Sequence, residues 1–304
     1  VLMIVVFGTV CHDRIHKVPR LPQPGGYVEI ESSTLSMGGE ALNTAMNLQT
    51  WGSEYVLVGN GIGHDSAAND LRRLIQARGL RQPTLAPLGT DCPVCDLYVT
   101  PDGQRTMFGR GFLTLGDQCD LDCLPKLPGA WFPTDSNPGE TARRAAHLAK
   151  SAGMHVYVMD FADGDDVLPE GSTWQSSTDW IGEAGNPAKN LKWLREFTKR
   201  QSVFGILSDG ARGFAAGGLG MPVRWYEPLP SPAVVDSTGC GDSFRAGMLH
   251  GLAQGWEIAD CLLFASASGA LNCRAPGAID GIGTVAEIEA LIDAHPSVRE
   301  SYRS

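Results

Sequence analysis

The residues best suited to chemistry form one stretch, Asp236-Ser237-Thr238-Gly239-Cys240-Gly241-Asp242-Ser243-Phe244. It follows a proline-broken segment and runs into residues 244–252, which read as a helix. Gly239, Cys240 and Gly241 therefore sit where a loop becomes a helix. Small residues there let backbone N–H groups crowd round a ligand, and the helix start adds partial positive charge. That suits a phosphate. Asp242 lies one residue past this cradle, where a carboxylate would hinder simple anion binding. It makes sense as a base taking a proton from a hydroxyl that attacks phosphorus. The plainer reading, a helix with Ser and Asp in its first turn, leaves the glycines unexplained.

Elements that could position this loop recur along the chain. Residues 2–7 are an apolar run ending in Gly8, the pattern of a central parallel strand. His12 and Asp13 follow as expected loop residues at the strand's carboxyl end, where open α/β sheets bind ligands. Residues 18–37 are polar and broken by Pro and Gly, with Tyr27-Val28-Glu29-Ile30-Glu31 alternating like an exposed strand. They read as a β flap, and residues 94–112, with an Asp102-Gly103 turn, as a hairpin beside it. Such a lid excludes water from phosphoryl transfer. Arg105 and Arg110 lie near the second hairpin strand, each a substrate contact or an ordinary exposed charge.

Gly38-Gly39 opens a helix carrying Asn43 one turn in, a donor and acceptor for sugar hydroxyls. Residues 55–58 read as a strand and Asp65 as the cap of a helix ending at Ala77. The intervening Gly59-Asn60-Gly61-Ile62-Gly63 run lacks dinucleotide spacing. Strands are expected at 130–133, 155–160, 179–181 and 203–207, and helices at 138–152, 188–199, 259–273 and 285–294. Asp163, Asp165 and Asp166 cluster as loop acids, which are usually solvated. Ser208-Asp209-Gly210-Ala211-Arg212-Gly213 turns the strand at 203–207 into a hairpin whose Gly-x-x-Gly loop fits a nucleotide wall. Alternating strands and helices predict an α/β fold of three layers around a mainly parallel sheet, one domain over 1–304 with a small β lid at about 16–37 and 94–112.

Composition narrows the classes. Net charge is −10, which argues against a general nucleic-acid partner, and 43% hydrophobic residues mark a globular chain. The apolar start is too short for a membrane span or signal segment, and Met3 reads as the natural start. Eight cysteines are too sparse for a disulfide scaffold, so reduced thiols and a cytoplasmic location are expected. Cys92-Pro93-Val94-Cys95 has zinc-ligand spacing, with Cys119 and Cys123 further on. It lies in a strand-like run without a neat second pair, so strand is preferred over zinc.

The chain resembles the PfkB, or ribokinase-like, family of carbohydrate kinases. The family's carboxyl-terminal signature, D-T-x-G-A-G-D-x-F, is matched by Asp236 to Phe244 with Ser237 for Thr and Cys240 for Ala. The amino-terminal signature resembles Gly38-Gly39-Glu40-Ala41-Leu42-Asn43-Thr44-Ala45. Gly63-His64-Asp65, Asp102-Gly103-Gln104-Arg105, the 208–213 loop and Pro276-Gly277-Ala278 fall in family order. The resemblance covers essentially the whole chain. It implies ATP-dependent phosphorylation of a hydroxymethyl group, with Asp242 as base and the amides of Gly239, Cys240 and Gly241 facing the transferring phosphoryl. It places Asp13, Gly39 and Asn43 on the sugar, and Ser208, Gly210 and Gly213 beside the nucleotide. Asp236, Thr238, Asn272, Ala275 and Gly277 match a monovalent-cation site found in many members, where a K⁺ ion would sharpen the neighbouring anion hole. Mg²⁺ would bridge ATP phosphates, mostly through water.

Three positions depart from the family pattern. The Asn-x-x-Glu motif linked to Mg²⁺ is missing its Asn, the stretch reading Trp180-Ile181-Gly182-Glu183-Ala184-Gly185. Glu40 follows Gly-Gly where Lys or another polar residue is often found, and Asp209 stands in the nucleotide loop. Sugar phosphorylation is the leading reading. A nucleoside kinase of the same fold is the alternative, with Phe108, Phe112 or Trp131 to stack on a base. A non-catalytic sugar binder is the third. Exposed flap strands could pair two copies of the chain into a homodimer.

Overall fold

The computed structural model describes residues 2–81, 83–86, 91–103, 105–161 and 167–303. Asp163, Asp165, Asp166 and Gln104 lie outside the described residues. Nine strands form the main sheet: β1 (Ile4–Gly8), β4 (Tyr55–Gly59), β5 (Thr84–Leu85), β8 (Trp131–Asp135), β9 (His155–Met159), β10 (Thr173–Ser177), β11 (Phe204–Ser208), β12 (Phe214–Gly218) and β13 (Met221–Tyr226). Their order is β13-β12-β11-β10-β9-β8-β1-β4-β5. Pairing is parallel from β11 to β5, and antiparallel only at the β11–β12–β13 edge.

Alternation along the central strands explains the layers. Ile4 and Val6 enter one apolar cluster and Val5 and Phe7 the other. The first cluster is closed by α1 (Glu40–Thr50), α2 (Ser66–Ala77), α5 (Cys240–Gln254), α6 (Ile258–Asn272), α7 (Val285–Asp293) and α8 (Pro296–Arg303), the second by α3 (Glu140–Ser151) and α4 (Pro187–Gln201). Helix α6 is apolar on nearly every side, as a helix packed between others must be. The three-layer α/β expectation holds. No helix among the described residues is long and apolar enough to cross a membrane.

A second sheet, ordered β3-β2-β6-β7, stands over one end of the first: β2 (Cys11–Lys17), β3 (Ser32–Gly38), β6 (Val94–Val99) and β7 (Arg105–Arg110). Three expectations need correction. His12 and Asp13 lie within β2, not in a loop, because β1 passes into this sheet after only Thr9 and Val10. Residues 27–31 are not a strand; the strand partner of β2 is Ser32–Gly38, in register from Lys17↔Ser32 to Cys11↔Gly38. Residues 179–181 are turn, and the strand before α4 is Thr173–Ser177. Strand β13 and helix α8 carry no clear period in the sequence and were not expected.

Candidate active site

Helices α2, α4 and α7 start under side-chain caps from Asp65, Asn186 and Thr284. Helices α1 and α5 start on Gly39 and Gly239, with φ of 95° and 74° and no side-chain cap. In their first turns Leu42 N donates to Thr9 O and Cys240 N to Ser237 O, and no side chain caps the remaining N–H groups. Glycine is required at both: a Cβ on Gly39 would stand 2.3 Å from Thr9 O, and one on Gly239 2.5 Å from Ala278 O. The loop at residues 236–241 is thus clamped against residues 277–278. Gln175 holds its other side, Nε2 donating to Gly241 O at 3.0 Å, while Tyr157 donates to Gln175 Oε1.

Asp242 sits in the first turn of α5, 5% exposed. Asn43 Nδ2, from α1, donates to Asp242 Oδ2 at 2.9 Å. Arg245, one turn on, lies 3.5 Å from Oδ1. Burial, with Asp135 and Asp160 nearby, pushes the Asp242 carboxyl up to about 6, against the pull of Arg245 and Asn43. Asp13 comes down from β2 so close to Gly38 that a Cβ there would meet its carboxylate at 2.1 Å. Burial and the neighbouring Asp242 push Asp13 up to about 7, while a hydrogen bond from the Cys11 thiol works the other way. Asp13, Gly39 and Asn43, from the start of the chain, and Asp242, about 200 residues on, therefore line one place.

Several groups here were not foreseen. Arg245 is 1% exposed and donates through Nη2 to Glu40 O at 2.6 Å and Thr44 Oγ1 at 2.7 Å. Its signal was a lone cation among the small and apolar residues 244–249. Glu40 Oε1 accepts from Asn137, while Oε2 is buried without a hydrogen bond 3.9 Å from Arg245 Nη1. Asp135 ends β8 and accepts from Thr9 N and Oγ1, fixing the crossing into the second sheet. Asp160, with φ 58°, accepts from Ser176 Oγ and is pushed up to about 6 by burial. Four acids and one arginine thus share a partly dry region.

The expected cation-site residues also converge. Asp236 Oδ1 accepts from Thr238 N and Oγ1, and its Oδ2 from Gly277 N at 2.8 Å. Asn272 Nδ2 donates to Thr238 O at 3.0 Å, leaving its Oδ1 buried without a donor. Ala275 lies in the turn between Asn272 and Gly277. Among the described residues, no three His, Cys, Asp or Glu side chains gather as a metal set, and Cys92 and Cys95 lie around the start of β6.

At the loop expected to border a nucleotide, Ser208 ends β11 and donates to Ser176 O. Gly210 and Gly213 bracket a single 3₁₀ turn with positive φ. Asp209 organises this turn, accepting from Thr178 Oγ1, Gly185 N and Arg212, and Arg212 holds its carboxyl below the usual range. Glu183 is engaged by Asn186 and Lys189, on the surface at the start of α4. Arg105, expected on the substrate, reaches from β7 to Ser237 Oγ at 2.8 Å, so it touches the loop at 236–241. Trp131 begins β8 at the end opposite Asp135 and packs on His155, away from the site. Phe108 is 59% exposed, edge-on to Tyr98.

The model of the pfkB family carbohydrate kinases matches residues 1–111 and 127–284. The chain belongs to this family. It is 38% identical to acarbose 7(IV)-phosphotransferase of Actinoplanes sp., over 91% of this chain and 95% of that one. It is 29% identical to an uncharacterized sugar kinase of Dictyostelium discoideum, over 96% and 97%. Ribokinase of Arabidopsis thaliana, solved with ribose and ATP, superposes with a TM-score of 0.73 at 18% identity, covering 96% of this chain and 98% of that one. The family carries the activity class, so this chain is a carbohydrate kinase.

Proposed function

We propose that the protein transfers the γ-phosphoryl group of ATP to a hydroxymethyl group of a sugar or sugar-like molecule, with Asp242 as general base. The observation that carries this is the Asp242 carboxylate. It is buried, oriented by Asn43 and Arg245, and set beside the uncapped start of α5. A carboxyl pushed up to about 6 is ionised near neutrality yet basic enough to take a proton as the hydroxyl attacks. Asp13 and Asn43 hold sugar hydroxyls. The amides of Gly239, Cys240 and Gly241 receive the phosphoryl charge, and Ser208, Gly210 and Gly213 border the nucleotide.

Mg²⁺ spreads charge on the ATP phosphates when bound. A monovalent cation, K⁺ in this reading, would be held around Asp236, Thr238, Asn272, Ala275 and Gly277. The buried Asn272 Oδ1 without a donor is the oxygen left for it. The second sheet acts as the lid of a single kinase domain, and its exposed Leu35, Met107 and Phe108, with Tyr27 in the segment before β3, suit pairing of two copies. A monomeric mass by light scattering would remove that last element. The protein works in the cytoplasm.

The test is ATP consumption against a panel of monosaccharides, nucleosides and acarbose, with Mg²⁺ and K⁺ present. Turnover on a sugar that disappears in folded Asp242→Asn supports the reading. An Asp242→Asn protein as active as the parent overturns the role of Asp242.

A further inference from the structure

Two thiols meet behind the phosphate cradle. Cys240, the first residue of α5, holds the signature position where the family pattern has Ala. Cys273 caps the end of α6. Their Sγ atoms are 2.7 Å apart, inside the van der Waals contact of two sulfurs, although the residues are 33 apart in sequence. Both are free thiols and neither is fully buried. Cys273 is also tied to the catalytic loop by its backbone, its carbonyl accepting from Val235 N at 2.8 Å and Asp236 N at 3.2 Å. A bond between the two sulfurs would therefore join both ends of the segment that carries the cradle.

We propose that Cys240 and Cys273 form a reversible disulfide that switches off phosphoryl transfer. The oxidant is a small-molecule disulfide of the glutathione class. One cysteine loses its proton and attacks a sulfur of that oxidant, releasing one small thiol. The second cysteine then displaces the other small thiol, leaving the Sγ–Sγ bond. Two protein thiols are oxidised by two electrons, and one disulfide is reduced to two thiols. A dithiol reverses the sequence. The bond draws the first residue of α5 towards the end of α6 and so displaces the Cys240 amide from the place the phosphoryl group needs. Preorganised donors need positions set to a fraction of an ångström, so a small displacement costs much of their effect.

The test treats the whole protein with oxidised glutathione, then blocks remaining thiols and maps the peptides by mass. The expected result is a Cys240–Cys273 cross-link, mass lower by two hydrogens, reversed by dithiothreitol. This readout needs no substrate and stands even if Asp242 has another role. Closing a 33-residue loop should also raise Tm by about 5 °C. Turnover, on the sugar found in the panel, should fall at least tenfold and recover on reduction. Cys273→Ser should keep its turnover under the same oxidant. If it does not fold, Cys273→Ala and differential alkylation of the parent decide the matter. Cross-links to other cysteines, or none, overturn the proposal. So does a full Cys240–Cys273 cross-link with turnover unchanged.

Discussion

The two halves of the site are built on opposite terms. On the side of the main sheet, the loop at 236–241 and the first turn of α5 are held by buried hydrogen bonds from Gln175, Asn43, Asn272 and Gly277. On the side of the second sheet, burial is confined to the roots of β2 and β3 and to Ile15, Val94 and Leu97, and most of β7 faces solvent. Elements with few buried apolar contacts open at low free-energy cost. The difference teaches that the groups assigned to chemistry sit where the fold is stiffest, while the groups covering them sit where it is softest. Asp13 is the exception. It rides on the second sheet but is buried against Gly38, within the electrostatic reach of Asp242.

The comparison can be broken most directly at Asp242. Asp242→Asn should lower turnover by roughly 10³-fold without lowering Tm, since it removes a base but also a buried charge. An equal loss of Tm would mean that the acid holds the fold together instead. Arg245→Met should cost roughly 3 kcal/mol of stability, because it leaves Glu40 and Asp242 without their cation. It should also move the acid limb of the rate profile to higher pH, since Arg245 lowers the Asp242 carboxyl. A limb that stays in place would detach Arg245 from Asp242. In the parent, kcat/KM should rise with pH through about 6 as Asp242 ionises.

Stability should run the other way. Asp13, Asp160 and Asp242 all bind protons more tightly folded than unfolded. Their contribution is full below their unfolded values of about 4 and is lost as pH climbs through 6 to 7. Thermal melts of Asp13→Asn should show a flatter fall over that window than the parent, with weaker sugar binding. At the softest place, Phe108→Ser should change stability by less than about 0.5 kcal/mol while altering KM. A large loss of Tm there would mean that the second sheet is as stiff as the first.

Much of the stiff half was legible in the sequence, because its demands fall on local spacing. Gly239 to Asp242 and Gly38 to Asn43 announce themselves as turn, helix start and polar group one turn in. What was missed comes from contacts across the chain. Gln175 lies in a strand whose polar residues are buried because they face the site, so Thr173–Ser177 shows no apolar run beyond Trp174. Asp135 and Asp160 end strands, which the pattern marks only as boundaries. The soft half misled for the opposite reason. Ser32–Gly38 is an edge strand exposed over its first four residues, so nothing apolar distinguishes it from the alternating 27–31 beside it.

The crossing from β1 to β2 is pinned twice. Thr9 is bound to Asp135, and Val10 N and O are both clasped by Asn60. Val10 is thus a fixed fulcrum. At about 3.3 Å per strand residue, Asp13 stands about 10 Å beyond it and Lys17 about 23 Å. Any tilt of the second sheet about Val10 moves Asp13 less than half as far as the sheet's outer end. Asp13 thus lies in the part of the second sheet whose position is least sensitive to the sheet's tilt.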